Sequence, residues 1–217
     1  MVTHRQPSIA LPRAHSAALD HFDWLVRDVE PEQWRSATPC REWNVRQLVN
    51  HVTVQQRWLS LLLSGVSAGS VGDRLDGDLL GDDPALAFKH AAVEAESAVH
   101  DEAALDGTVR LWSGPAPARD LVSQLTMDLV VHCWDLARAT GADERLPESL
   151  VAFALRELSG YADRLAPSGL FDPPAPVPND ADSQTLLLAM TGRRADAPPG
   201  AAGETGAAGV AGTGRSR

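Results

Sequence analysis

Asp128 and His132 lie four residues apart within Leu121–Leu136, a segment whose apolar residues would cover nearly every side of a helix. Residues four apart stand one above the other on the same helical face. A carboxylate among apolar neighbours is costly unless it is paired, hydrogen-bonded or bound to a cation. Two metal-competent side chains at this spacing are an arrangement that a helix can offer to one ion. His51 is a third candidate. It follows Leu48 by three residues and precedes Leu59 by eight, on the apolar stripe that also carries Val52 and Leu62. It is therefore expected to point inward. Two histidines and one carboxylate from facing helices form a three-ligand set with an open fourth position, the pattern of catalytic zinc. The same set also suits non-haem iron. The competing reading is that Asp128 neutralises a buried His132 and no ion is held. Three such groups on inward stripes weigh against it.

Other residues of the same types read differently. His90 and Glu94 are four apart, as are Glu96 and His100, but Lys89, Asp101 and Glu102 surround them, so solvated pairs are expected. Cys133 is rotated about 100° from His132 and should miss any ion bound there. Cys40 precedes the second helix and could lie near the mouth of the site, although a small structural thiol is the favoured reading. The six tryptophans (Trp24, Trp34, Trp43, Trp58, Trp112 and Trp134) are expected mostly as core and boundary anchors, with packing favoured over a pocket role for Trp58. Arg46 and Arg138 are expected to pair with local carboxylates.

The elements that must position these residues are helical. A first helix is predicted from about His15 to Val29, with Ala18, Leu19, Phe22, Leu25 and Val26 on one face and Pro31 closing it. The second begins at Val45 with Asn44 as N-cap and Gln47 completing a capping box, and it ends before Gly65. Residues 65–82, rich in Gly, Ser and Asp, predict a mobile connection. Asp83 and Pro84 open a third helix reaching about Ala104. Thr108–Trp112 predicts a short strand or extended crossover. The fourth helix runs from about Ala118 to Thr140 with Gly141 at C′, and a fifth from near Pro147 to Leu165. After the proline-rich bend Pro173–Pro178, a short sixth covers about Asp182–Thr191. The resulting fold class is all-α: an antiparallel four-helix bundle with short auxiliary helices and one crossover between the second and third helices. Residues 1–194 are assigned to the bundle domain. Residues 195–217, of which thirteen are Ala or Gly, are assigned to a disordered tail, since so few large apolar groups cannot offset ordering entropy.

Composition sets outer limits. The 217 residues carry 19 Lys+Arg against 29 Asp+Glu, a net charge of −10, and Lys89 is the single lysine. That balance argues against binding a nucleic-acid backbone or an anionic membrane, both of which need clustered positive charge. No apolar signal region opens the chain and no apolar run is long enough to span a bilayer. Two cysteines make no disulfide framework and fit a reducing compartment. A soluble, cytoplasmic protein is expected.

Thr38-Pro39-Cys40-Arg41-Glu42-Trp43-Asn44-Val45-Arg46-Gln47-Leu48-Val49-Asn50-His51 and Asp128-Leu129-Val130-Val131-His132-Cys133-Trp134-Asp135-Leu136-Ala137-Arg138-Ala139-Thr140 resemble the mycothiol-dependent maleylpyruvate isomerase N-terminal family. That family belongs to the DinB-like metal-binding bundles, and the match is to its short actinobacterial branch. The likeness extends over about residues 10–193, including Phe171–Pro178 and Leu186–Met190. It implies a divalent ion, usually zinc, held by a histidine of the second helix and two residues of a later one. On this chain those positions are His51, Asp128 and His132. The isomerase proper has Glu where this chain has Asp128, and it has a C-terminal domain contributing to the substrate site, where this chain is expected to have only the tail.

The resemblance implies a zinc-dependent thiol S-transferase or thiol-assisted isomerase. Its co-substrate would be a low-molecular-weight thiol such as mycothiol, and its partner a small-molecule electrophile. No protein general base is evident for that chemistry. Metal-water hydrolysis and a non-catalytic metal or small-ligand binding module are the alternatives.

Overall fold

A computed structural model describes residues 9–40, 43–168, 173–177 and 179–195. Helix α1, Leu11–Arg27, starts earlier than its apolar periodicity suggests. Pro12 sits in its first turn, where a fixed φ and a missing N–H cost nothing. Helix α2, Val45–Leu63, opens on the expected reciprocal cap: Gln47 N–H donates to Asn44 Oδ1 and Asn44 N–H donates to Gln47 Oε1, both at 2.9 Å.

The connection after α2 is ordered, contrary to expectation. It contains a one-turn helix α3, Ala68–Val71, and buries Val71 and Leu80. Polar side chains of α2 satisfy its backbone. Asn50 Nδ2 donates to Gly77 O and Asn50 Oδ1 accepts from Leu79 N–H, each at 2.8 Å. Arg46 reaches Asp78 and Gly81 O, each at 2.7 Å. A Gly- and Asp-rich composition reads as mobile because these partners, about 30 residues back in sequence, leave no local signal.

Helix α4, Pro84–Val99, is capped by Asp83. It stops short of the predicted Ala104 because Asp101 caps a separate turn, α5 (Glu102–Leu105), accepting from Ala103 and Ala104 N–H. The expected strand is β1, Thr108–Leu111, and it pairs antiparallel with β2, Gly114–Pro117. The sequence Gly-Pro-Ala-Pro disguised β2 as loop. Helix α6, Ala118–Thr140, ends at Gly141 in the left-handed region (φ 74°), as predicted. Helices α7, Glu148–Ser168, and α8, Ser183–Met190, follow.

Four long helices form the bundle: α1 and α2 each pack against both α4 and α6, so α1 and α2 face each other diagonally. Directions follow from the contacts. Asp23 meets Lys89 while Ser16 meets His100, so α1 and α4 are antiparallel. His15 meets Thr126 while Ala18 meets Cys133, so α1 and α6 run together. Both α2 and α4 run from the larger core cluster, around Leu48, Val52 and Phe88, into a second one around Leu59, Leu62 and Val99. They are parallel, so the chain between them must travel back along the bundle. This is the predicted crossover. Helix α7 covers α6, and α8 packs on α7.

Of the tryptophans, Trp134 is fully buried, but Trp24 and Trp112 are 52% and 61% exposed and are not core anchors. Trp24 stacks on His21 at the surface, and Trp112 stands at the turn of the β-hairpin. No helix among the described residues is long and apolar enough to cross a membrane. Apart from Ala195, the predicted tail lies outside the described residues.

Candidate metal centre

Because α2 and α6 run in opposite directions side by side, the second turn of α2 meets the middle of α6. There His51, Asp128 and His132 converge. Asp128 Oδ2 lies 3.3 Å from His132 Nε2 and 3.9 Å from His51 Nε2, and one donor atom from each residue falls within 4.8 Å of the others. The two imidazoles approach edge to face at 5.3 Å. Ligand bonds of about 2.0–2.2 Å in a tetrahedral zinc site put donor atoms roughly 3.3–3.6 Å apart. The two carboxylate–imidazole distances, 3.3 and 3.9 Å, lie at and just above that spacing. His132 is 4% exposed, whereas His51 and Asp128 keep 21% and 17%, so the cluster is buried on the α6 side and opens toward solvent beside His51.

Each of the three is oriented by another side chain. His132 Nδ1 lies 3.0 Å from Asp135 Oδ2, three residues on along α6. A carboxylate only accepts, so Nδ1 carries the proton and Nε2 faces the cluster. Carboxylate-to-imidazole support of this kind is the usual outer shell of a histidine ligand. Gln55, one turn after His51, donates Nε2 to Asp128 Oδ2 at 2.7 Å. Trp43 packs its ring over His51, with centroids 4.2 Å apart, and reaches within 6.0 Å of His132. Trp43 is placed by the turn before α2: Thr38 Oγ1 donates to Trp43 O (2.7 Å), accepts from Cys40 N–H (3.1 Å), and Trp43 N–H donates to Cys40 O (2.9 Å).

Behind His132 lies a further layer. Asp135 is fully buried and its two oxygens receive the guanidinium fork of Arg193, at 2.9 Å from Nη2 and 3.3 Å from Nε. Cys40 Sγ donates to Asp135 Oδ2 at 3.3 Å. Burial opposes ionisation of Asp135, but Arg193 and His132 hold its pKa down at about 2. Burial and the Asp135 charge push the Cys40 thiol up. Burial also disfavours the charged forms of Asp128 and His132. Their mutual attraction prevails, holding Asp128 well below and His132 well above the usual range. Burial lowers His51 despite the attraction of Asp128.

Sequence reasoning found the three inward residues and missed the four that brace them. Asp135 is the one with a local signal, a second carboxylate on an otherwise apolar stretch three residues after a histidine. Gln55, Trp43 and Arg193 have none. Cys40, read as a small structural thiol that could lie near the site, sits behind His132 with its Sγ on Asp135. Cys133 turns away, buried against Ala18 O, as its angular offset requires. Arg46 and Arg138 pair with Asp78 and Glu144, Trp58 packs on the second core cluster, and His90 and Glu94 are exposed.

Residues 15–137 match the family model described as the mycothiol maleylpyruvate isomerase N-terminal domain. The chain belongs to that family. Two uncharacterized proteins of Mycobacterium tuberculosis, from strains CDC 1551 and H37Rv, are each 29% identical to it over 187 residues, covering 83% of this chain and 96% of theirs. Among solved structures, the mycothiol-dependent maleylpyruvate isomerase aligns with a TM-score of 0.53 at 17% identity, and a histidine-to-alanine mutant of it with 0.54 at 16%. Each alignment covers 71% of this chain and 70% of the other. At that identity the likeness concerns the fold, a DinB-like helical bundle. The segment matched to the isomerase N-terminal domain family contains His51, Asp128, His132 and Asp135 and ends well before Arg193.

Proposed function

We propose that this protein is a divalent-metal-dependent thiol S-transferase or thiol-assisted isomerase. In this reading His51, Asp128 and His132 hold the ion, expected to be zinc. A low-molecular-weight thiol such as mycothiol attacks a small electrophile beside them. The observation that carries the reading is a three-donor cluster whose central histidine already has its Nδ1–H engaged by Asp135. The membership of the chain in a family named for a mycothiol-dependent isomerase supports the choice of thiol.

A divalent cation held by His51, Asp128 and His132 would supply Lewis acidity, which favours the thiolate form of a thiol near neutral pH. The remaining work falls to the side chains. Asp135 holds the His132 proton on Nδ1 and, being committed to Arg193 as well, is not free to act as a base. Gln55 fixes the Asp128 oxygen that faces both imidazoles. Trp43 shields one face of His51 from water, leaving the solvent-facing side of the cluster as the approach for thiol and electrophile. The bond formed is between the thiolate sulfur and an electrophilic carbon. In a transferase it persists, as a leaving group such as halide departs with its electron pair. In an isomerase the sulfur adds to a conjugated double bond whose π electrons move onto the carbonyl as an enolate, the former double bond rotates, and the enolate expels the thiolate to restore it.

The deciding experiment assays zinc-loaded wild type against maleylpyruvate and an activated haloarene, with and without mycothiol, beside Asp128→Ala. Turnover that requires added thiol and is lost in Asp128→Ala is the expected result. Equal turnover without thiol would contradict it and point to hydrolysis.

A further inference from the structure

The second group of potential ligands beside the metal centre already contains a positive charge. Cys40 Sγ, His132 Nδ1 and an Asp135 oxygen lie within 4.8 Å of one another, as tight a cluster as the first. The two clusters share one imidazole ring, with Nε2 facing Asp128 at 3.3 Å and Nδ1 facing Asp135 at 3.0 Å. Thiolate, imidazole and carboxylate are all zinc ligands, and thiolate is the softest of them. By donor chemistry alone the Cys40 cluster would compete for the same ion.

Arg193 sets the two clusters apart. Its guanidinium spans both Asp135 oxygens, and Nη2 also lies 3.6 Å from Cys40 Sγ. Nη1 donates to Thr191 O at 2.9 Å, so the fork is braced by the residues that end α8. A guanidinium stays charged and has no lone pair to offer a metal. Within a buried site its charge repels any cation placed between Cys40 and Asp135. Arg193 thus occupies, as a fixed charge, the place a second ion would take.

We propose that Arg193 is a positioning residue that fills the Cys40–His132–Asp135 cluster with a permanent positive charge, keeps Asp135 aligned on His132 Nδ1, and so confines a metal ion to the Nε2 side with His51 and Asp128. The inference rests on the metal-centre reading above. It places part of that centre on the segment after α8, outside residues 15–137 that the family model matches.

Cobalt(II) chloride titrated into metal-free full-length protein provides the test, because thiolate ligation of cobalt adds an intense near-ultraviolet charge-transfer band that nitrogen and oxygen ligands do not. Wild type should show ligand-field bands in the visible and no thiolate band. Arg193→Gln should gain the thiolate band, and Cys40→Ser in that background should remove it. Arg193→Lys, which keeps the charge, should retain the wild-type spectrum. An Arg193→Gln spectrum identical to wild type overturns the proposal, as does a Cys40-dependent band in wild type. If Arg193→Gln does not fold, the wild-type and Arg193→Lys spectra decide: a Cys40-dependent band in either overturns the proposal, and its absence from both supports it. Failure of wild type to bind cobalt at all would instead remove the metal centre itself, and this inference with it.

Discussion

Gln55 shows how closely the candidate centre depends on single side chains. It is the donor that fixes Asp128, and its loss leaves that carboxylate free to rotate away from the two imidazoles. Outer-shell substitutions of this kind commonly weaken metal binding about 10–100-fold. Gln55→Leu should therefore bind zinc at least about tenfold more weakly than wild type in a chelator competition, and unchanged affinity would exclude Gln55 from the site. A second residue governs acid sensitivity. His15 is fully buried, hydrogen-bonded to Thr126, and burial together with the nearby His100 lowers its pKa from 6.5 to about 4. Between those values the unfolded chain takes up a proton that the folded chain refuses, so stability falls as pH drops through that window and levels off below it. The loss amounts to about 3 kcal/mol. Urea unfolding across pH 4–7 should show a shallower acid slope for His15→Gln than for wild type. Equal slopes would mean that His15 titrates normally. His51, Asp128 and His132 were legible in the sequence because each is a polar residue at helical spacing on an apolar stripe. Arg193 was not, because its partner Asp135 lies 58 residues away and no periodicity links them.

At the scale of elements, local chemistry marked those helix starts that carry a side-chain cap. Asn44 and Asp83 cap α2 and α4 as their side chains predict, because a cap is decided within four residues. The break between α4 and α5 was hidden, since His100 and Asp101 sit in a run that keeps helical spacing while the exposed Asp101 side chain caps a new turn. The crossover after α2 was legible as a connection but not as an ordered one, for its order comes from Arg46 and Asn50 on the neighbouring helix. The α2 cap and the crossover brace differ in what their removal should do. Asn44→Ala deletes one half of a reciprocal cap and should cost about 1 kcal/mol in denaturant unfolding. Asn50→Ala leaves α2 intact but frees the backbone of Gly77 and Leu79, so amide exchange should accelerate across 77–81 and leave the α2 interior protected. Exchange rates unchanged at 77–81 would show that Asn50 does not hold the crossover.

The whole molecule is a bundle in which α1 and α6 run one way, α2 and α4 the other, with the candidate centre between α2 and α6 and its rear brace supplied by the segment after α8. The composition of 196–217 contains no apolar face able to dock on such a body. Deleting those residues should leave the melting temperature and metal content unchanged, and a fall of several degrees would show that they pack. Removing the chain from Asp182 onward should act differently, because it takes Arg193 away from a buried Asp135. The functional reading depends on one claim, that His51, Asp128 and His132 together hold a divalent ion. Elemental analysis of purified wild type, His51→Ala and His132→Ala, with helical content followed by circular dichroism, tests it most directly. Wild type should carry close to one equivalent of zinc, lost from both variants with their helices retained; full retention of metal in both would overturn the assignment of these ligands.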